Sequence, residues 1–282
     1  MHIHYTVFDP TKNITALVTS PVPRAQYAAA AAALMRLRPQ IEQVGFLEQP
    51  ESPDARLRLQ MMGGEFCGNA TMSTAAYLAQ QEQLPDRGVT EYPLEVSGAD
   101  RLLSCRIERS GDHFFGTVAM PLPRRIFTVP LSIQGICRSV PAVELPGIVH
   151  CIVPAELISR EAAETEFLPR FPQLCRQLRT DACGILLFQP EEAAFTPLVY
   201  VASTQTAVWE SGCGSGSAAL ASWLASQIPG EPEREAALHQ PGGVIRVHTR
   251  MQDGRVTHLD ITGEVRPLGT GTADLAVEAP SI

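Results

Sequence analysis

The chain has 282 residues, of which 45% are hydrophobic and 18% are charged, a composition typical of globular proteins that excludes disordered and fibrous classes. At about 150 residues per domain, this length predicts two domains. The net charge of −8 at pH 7 argues against binding to nucleic acid or to anionic membranes. Because no apolar run approaches about 18 residues and no leader pattern is visible, we expect a cytoplasmic protein without nucleic-acid or membrane partners.

Three residue types restrict the chemistry further. Lys12 is the only lysine among the 22 basic residues, and it lies in a turn-like segment, whereas pyridoxal enzymes hold their cofactor on a lysine inside a pocket. The seven cysteines are odd in number and widely spaced, which argues against a disulfide framework. His2 and His4 share a strand face, but no third ligand accompanies them. We therefore predict no cofactor and no metal site.

Hydrophobic periodicity and turn residues predict many short strands and a few helices in chain order. Strands are predicted over 2–8, 14–19, 56–62, 94–96, 102–108, 113–120, 147–153, 184–188, 198–202, 243–249 and 256–261. Helices are predicted over 27–37, 67–81, 160–178 and 213–227. Prolines near residue 125 suggest a domain boundary there, so we predict domains 1–125 and 126–282, with the last strand able to cross back to the first domain.

An internal repeat relates the two halves of the chain. The segments 67–81 and 213–227 both begin with Cys-Gly and both contain an aromatic-Leu-Ala triplet, and their first residues, Cys67 and Cys213, are 146 residues apart. Glycines precede each segment and no proline interrupts it, which predicts a helix with its cysteine at or before the first turn. We expect two related halves, each presenting one cysteine in the same local context.

Two cysteines at helix N-termini suggest stereochemical inversion at a carbon atom. The unpaired N–H groups and the positive end of a helix dipole favour a thiolate. If one sulfur is a thiolate and the other a thiol, the first takes a proton from one face of the carbon while the second delivers one to the opposite face. The N–H groups of Gly68, Asn69, Gly214 and Ser215 are then candidates to hold a substrate carboxylate.

The segments 64–70 and 211–216 resemble the two active-site signatures of diaminopimelate epimerase-like, cofactor-independent racemases. Further similar segments, in the same order, are Asn13, residues 42–46, 149–151, 239–243 and 262–265. The resemblance implies an α/β (α+β) fold of two pseudo-symmetric domains, each a curled, mostly antiparallel sheet or barrel around a central helix, with the site in the cleft between them. It also implies a cytoplasmic homodimer.

Within that superfamily, the chain most resembles histidine racemases of staphylopine-type metallophore synthesis. Glu210 is followed by Ser211, where diaminopimelate epimerases have an arginine that grips the distal carboxylate of the substrate. Their Asn-Pro-His segment is also replaced, by residues 148–150. These departures predict a pocket for a substrate whose side chain carries less charge, and the imidazole of histidine would fit such a pocket.

The resemblance implies Cys67 and Cys213 as the catalytic pair. It also makes Asn13, Gln43, Asn69 and Glu210 candidates for substrate binding, while Asn69 and Ser215 could simply cap their helices. The predicted reaction converts L-histidine to D-histidine for a staphylopine-like, opine-type metallophore.

Other activities remain open at this point. A diaminopimelate epimerase, or another amino-acid racemase of this fold such as a proline racemase, would use the same two thiols. A cysteine-dependent hydrolase or acyltransferase would need a histidine base and only one cysteine, which leaves the second Cys-Gly helix unexplained. A binding protein that had lost the chemistry would not need both cysteines.

Overall fold

The structure is a computed structural model that describes residues 1–202, 205–228 and 230–276. The chain forms two compact units. Among the described residues, the first contains Met1–Ala119 together with 262–276, and the second is Met120–Ile261. Among the helices of the described ranges, none is long and apolar enough to cross a membrane.

The first unit is a closed ring of eight strands. They are β1 (His2–Pro10), β2 (Thr15–Val18), β3 (Gln43–Glu48), β4 (Leu57–Met61), β5 (Val89–Val96), β6 (Leu103–Ser110), β7 (His113–Ala119) and the second part of β16 (Arg255–Asp274). Strands that follow one another in this order are hydrogen-bonded, and β16 closes the ring by pairing with β1. Helix α1 (Tyr27–Leu37) joins β2 to β3, and α2 (Gly68–Gln81) joins β4 to β5. Both joined pairs are parallel, as such crossover connections require.

The second unit repeats this order of elements. Its strands are β8 (Arg125–Ile133), β9 (Ile136–Leu145), β10 (Ile148–Pro154), β11 (Ala182–Gln189), β12 (Ala194–Val201), β13 (Thr206–Trp209), β14 (Glu233–Gln240), β15 (Gly243–Gln252) and the first part of β16. Helices α3 (Arg160–Phe167) and α4 (Phe171–Leu178) join β10 to β11, and α5 (Gly214–Ser226) precedes β14. The β10–β11 and β12–β14 pairs are parallel, and they match the two parallel pairs of the first unit.

Helix α2 lies inside the ring of the first unit, where it contacts all of β1 to β7. A helix enclosed in this way must be narrow, which explains its many Ala, Ser and Thr residues. Its buried hydroxyls remain satisfied because Ser73 and Thr74 donate to carbonyl oxygens four residues earlier. Gly116 on β7 lets the helix approach, since a Cβ there would lie 2.7 Å from Met72. Helix α5 packs similarly against β9, β10, β14 and β15.

Most of the predicted elements are confirmed, and the structure corrects some of them. Helix α1 has the predicted bounds, and both repeat segments are helices whose cysteine lies directly before the first turn. The predicted helix 160–178 is instead two helices separated by a 3-10 turn, Leu168–Arg170. Pro169 lies in that turn, where a proline interrupts regular helical hydrogen bonding.

Several strands have no counterpart in the sequence prediction. They are β3, β8, β9, β13, β14 and the second part of β16. Strand β14 begins Glu-Arg-Glu-Ala-Ala, which lacks the usual β-branched pattern, and β8 and β9 contain Pro130 and Pro141, which cannot donate to a strand ladder. Pairing with neighbouring strands supplies hydrogen bonds and packing that these segments do not indicate by themselves.

Candidate active site

The two repeat cysteines occupy equivalent backbone positions in their units. Cys67 is the N-cap of α2 and Cys213 is the N-cap of α5, and both have extended backbone angles (φ −137°, ψ 109° and φ −110°, ψ 104°). In each helix, the residue four positions later binds the cysteine carbonyl oxygen twice. Thr71 does so through its N–H (3.0 Å) and hydroxyl (2.8 Å), and Ser217 through its N–H (3.0 Å) and hydroxyl (2.8 Å). The predicted shared context of the two thiols is thus confirmed at the level of individual hydrogen bonds.

The loop that leads to Cys67 is held against the end of β5. Ser97 Oγ accepts the N–H of Met61 at 2.9 Å and donates to the carbonyl oxygen of Glu65 at 2.8 Å. Gly98 follows with φ +73°, and a Cβ at this position would lie 2.4 Å from the backbone nitrogen of Phe66. Only glycine combines this backbone angle with so close an approach. The loop therefore presents Cys67 from a defined backbone position.

A chain of polar side chains extends from the first turn of α2. Asn69 Nδ2 donates to Asn13 Oδ1 at 3.1 Å, and Asn13 Nδ2 donates to Glu42 Oε2 at 2.9 Å. Both asparagines are only 3% exposed. Burial raises the pKa of Glu42, although the bond from Asn13 opposes this effect. Two predicted ligands, Asn13 and Asn69, thus lie together, and Gln43 follows Glu42 at the start of β3.

Cys213 lies in a more enclosed environment than Cys67. Its side chain is 3% exposed, while Cys67 is half-buried. Sγ of Cys213 accepts the N–H of Gly216 at 3.2 Å, which is the contact expected at a helix N-terminus. Burial and the nearby Glu210 carboxylate nevertheless raise the pKa of Cys213 well above its ordinary value. The expectation of one thiolate and one thiol stays a prediction, and desolvation together with a like charge favours the thiol form at Cys213.

A buried histidine is connected to this thiol through Ser215. His150 Nε2 lies 3.0 Å from Ser215 Oγ, which in turn lies 3.5 Å from Cys213 Sγ. Complete burial lowers the pKa of His150 to about 3, so its ring is neutral at physiological pH. His150 Nδ1 has no hydrogen-bond partner among the described residues. Placing the ring proton on Nε2 avoids a buried unpaired donor and turns the serine hydroxyl toward the sulfur.

The backbone of the second cysteine is fixed by a glutamine that follows α5 in sequence. Gln240 Oε1 accepts the N–H of Cys213 at 2.6 Å, and Gln240 Nε2 donates to Ser217 Oγ at 2.9 Å. Gln240 is 8% exposed. Its two bonds tie the end of β14 to the first turn of α5, so the position of the thiol depends on both elements.

The other cysteines are unsuited to acid–base catalysis. Burial raises the pKa of Cys105, Cys151 and Cys183, and Cys175 Sγ lies 3.0 Å from Cys183 Sγ in the core. Cys137 is exposed on β9. None of these residues begins a helix, which distinguishes them from Cys67 and Cys213.

The predicted site residues thus form one group in each unit. Cys67, Gly68, Asn69 and Asn13 lie together in the first, and Glu210, Cys213, Gly214 and Ser215 lie together in the second. Sequence reasoning did not assign a role to Glu42, His150 or Gln240. All three lie inside segments that carry the family resemblance, namely 42–46, 149–151 and 239–243. Their positions in these segments could have indicated a functional role from the sequence.

Comparison with known proteins identifies the family. Residues 2–273 match the family described as "Histidine racemase CntK N-terminal domain". The chain is 32% identical to a histidine racemase of Staphylococcus aureus, over 96% of this chain and 97% of the relative. A histidine racemase of Fusobacterium nucleatum is 30% identical over 65% of each chain. The chain belongs to the histidine racemase family.

Solved structures agree on the fold of this histidine racemase family member. A phenazine biosynthesis protein of the PhzF family from Bacillus anthracis superposes with a TM-score of 0.70, at 13% identity, covering 98% of this chain and 100% of that one. A hydroxyproline epimerase from Agrobacterium vitis superposes with a TM-score of 0.69, at 14% identity, covering 99% and 94%. The predicted epimerase-like fold is confirmed, and the protein is an isomerase of the racemase and epimerase type.

Proposed function

We propose that the protein converts L-histidine to D-histidine without a cofactor, for the synthesis of an opine-type, staphylopine-like metallophore. One observation carries this proposal: two cysteines cap two equivalent helices with the same backbone hydrogen bonds, in a chain related to histidine racemases over nearly its whole length. Lys12, the only lysine, is 60% exposed and paired with Asp9, so it offers no enclosed amine for a Schiff base.

Each thiol serves one face of the α-carbon in this mechanism. Cys213 keeps its proton because burial and Glu210 disfavour its thiolate, which suits it to deliver a proton. In the conversion of L-histidine to D-histidine, Cys67 is the base that takes the α-proton. When Cys213 has given up its proton, the Ser215 hydroxyl and the N–H of Gly216 stabilise the thiolate. The Glu210 carboxylate then favours reprotonation of the sulfur.

The substrate ligands are proposed from the same two groups of residues. The first-turn N–H groups of Gly68, Asn69, Gly214 and Ser215 are suited to the carboxylate and to the enolate-like charge that develops as the α-proton leaves. Asn13 and Gln43 remain candidate ligands, and the Glu42 carboxylate beside Asn13 offers an acceptor for a cationic or N–H group of the substrate. Burial raises the pKa of Glu42, and a substrate cation beside the carboxylate would oppose this effect.

The decisive experiment follows the α-proton of L-histidine in deuterated water by NMR. With one thiol on each face, the D-histidine formed carries deuterium, while the remaining L-histidine keeps its proton at early times. An enzyme with a single base would introduce deuterium into both. Early deuterium in L-histidine would therefore contradict the two-thiol mechanism.

Paired variants test the same mechanism independently. Serine is a far weaker acid than cysteine, so Cys67→Ser and Cys213→Ser should each reduce racemisation by about 10²- to 10⁴-fold. The double variant should be little worse than either single one, because the two residues act as a unit. Cys137→Ser, which changes an exposed thiol, is the matched control and should retain full activity. Near-normal activity of Cys213→Ser would mean that the second Cys-Gly helix is structural.

A parallel assay of L-amino acids identifies the substrate. Histidine should exchange its α-proton fastest, while diaminopimelate and proline should exchange slowly or not at all. A preference for diaminopimelate would keep the two-thiol chemistry and replace the proposed substrate.

We also propose a cytoplasmic homodimer, on the basis of the family resemblance. Light scattering coupled to size-exclusion chromatography should give twice the chain mass of 30.5 kDa. A single-chain mass at assay concentration would contradict the dimer and leave the reaction proposal unaffected.

A further inference from the structure

A cluster of metal-ligating side chains lies on the outer face of the second unit. His248 on β15 and His258 and Asp260 on β16 each offer one ligand atom, and the three atoms lie within 4.8 Å of one another. The imidazole rings are 5.5 Å apart between centroids, and His258 Nε2 lies 2.5 Å from Asp260 Oδ2. Glu233 on β14 is a fourth neighbour, with Oε2 3.8 Å from His248 Nε2.

We propose that this cluster binds a divalent transition-metal ion such as Zn²⁺ or Ni²⁺. Two imidazole nitrogens and a carboxylate form a common ligand set for these ions, at about 2.0–2.2 Å from the metal. Ligands of a tetrahedral ion with these bond lengths lie about 3.3 Å apart, and the three ligand atoms here all lie within 4.8 Å of one another. The side chains are 21–41% exposed, so they are able to adjust and the ion can enter from solvent.

The cluster is separate from the residues proposed for catalysis. Cys213 and Ser215 lie at the start of α5, whereas the two histidines lie on β15 and β16 with side chains 31% and 41% exposed. The metal would connect neighbouring strands rather than reach the reacting carbon. Because the cluster exists only when β15 and β16 are paired, a bound ion stabilises the folded state through mass action. The inference therefore concerns stability and metal binding, and it stands or falls independently of the racemase mechanism.

The ligand chemistry also predicts which ions bind. Imidazole suits Zn²⁺, Ni²⁺ and Co²⁺, whereas Mg²⁺ and Ca²⁺ prefer sites made of oxygen ligands. Zinc and nickel should therefore bind to the full chain, while magnesium at the same concentration should not. The Co²⁺ complex of the unaltered protein should show ligand-field absorption bands. A mixture of Co²⁺ with the His248→Ala or His258→Ala variant should lack these bands.

The test is isothermal titration calorimetry of the full, untagged chain with Zn²⁺ and Ni²⁺, together with the melting temperature at each metal concentration. His248→Ala and His258→Ala should each weaken binding at least tenfold and remove the metal-dependent rise in melting temperature. Asp260→Asn, a nearly isosteric change, provides a third variant should either alanine variant fold poorly. All variants keep the seven cysteines, so binding at thiols is common to every sample and does not account for the difference.

Two matched controls distinguish this cluster from other surface histidines. His4→Ala removes one ring of the His2–His4 pair on β1, whose centroids are 5.1 Å apart. His113→Ala removes a single histidine that lies beside Asp112 and Glu264. Both controls should bind metal like the unaltered protein. Absence of zinc and nickel binding, or a His248→Ala, His258→Ala double variant that binds these ions as tightly as the unaltered protein, would overturn the proposal.

Discussion

At the scale of single residues, identical backbone positions create two different thiols. Cys67 and Cys213 share the N-cap geometry and the double hydrogen bond to their carbonyl oxygens. Cys213 is nearly inaccessible and its pKa is raised by burial and Glu210, whereas Cys67 is half-buried. The helix repeat thus positions both cysteines, while burial and Glu210 disfavour the thiolate of Cys213.

This difference predicts which cysteine an alkylating agent modifies with loss of activity. In a Cys137→Ser background, which removes the exposed thiol, iodoacetamide should inactivate the enzyme through Cys67 first. Only the thiolate reacts, and both burial and a raised pKa protect Cys213. Peptide mass spectrometry at half-inactivation locates the label. Label found mainly on Cys213, or on a core residue such as Cys105, would contradict this assignment.

The Ser215 hydroxyl should support Cys213 when that sulfur carries negative charge. A hydrogen bond to a charged group contributes about 1.5–3 kcal/mol, so Ser215→Ala should reduce kcat about 10- to 100-fold. The bond from Ser215 lowers the pKa of Cys213, and its loss should therefore raise that pKa further. Since Cys213 must be protonated to deliver its proton to the carbanion formed from L-histidine, the alkaline limb of the pH–rate profile should move to higher pH. A stability loss without this shift would indicate a structural role only.

At the scale of secondary structure elements, the pairing of β10 with β11 positions His150 beside Ser215. His150 on β10 lies directly opposite Gly184 on β11 in a parallel pair. A Cβ at position 184 would lie 2.1 Å from His150 Nδ1, so the ring occupies space that any other residue would fill. The orientation of His150 toward Ser215 thus depends on a glycine 34 residues later in the chain.

This contact predicts the outcome of Gly184→Ala. The variant should lose about 1–3 kcal/mol of unfolding free energy from overpacking, and kcat should fall because the ring is displaced from Ser215. Urea denaturation and steady-state kinetics measure the two effects.

A double-variant cycle provides the control for this prediction. In a His150→Ala background the ring is absent, so adding Gly184→Ala should cost little further stability. Equal destabilisation in both backgrounds would show that the alanine clashes with something other than His150.

Elements with their own sequence signal were predictable, while those that depend on neighbours were not. The two Cys-Gly helices were visible because glycine starts, small residues and the absence of proline are local properties. Strand β14 was missed because its alternation of charged and small residues lacks strand propensity, and only pairing with β12 and β15 defines it. The same applies to the second part of β16, whose partner β1 lies at the other end of the chain.

At the scale of the whole molecule, the proposed reaction and the proposed metal cluster are expected to be independent. Dialysis against EDTA should leave the rate of histidine racemisation unchanged, because thiols and backbone N–H groups perform the proposed chemistry. The same treatment should abolish any rise in melting temperature that added zinc produces. Kinetic assays and thermal unfolding of one dialysed sample measure both. Loss of activity that returns on addition of zinc would contradict cofactor-free catalysis.

The sequence by itself determined the repeat, the two catalytic candidates and the family resemblance, since these depend on residue types at fixed spacings. Asn13, Asn69, Cys67 and Cys213 were all recognisable in this way. Only the tertiary structure decided the direction of the Cys213 pKa shift, the position of His150 and the hydrogen bond between Glu42 and Asn13, because burial and neighbouring charge arise from segments distant in sequence. A thiol pKa depends on desolvation as well as on the local helix, and desolvation is a property of the folded chain.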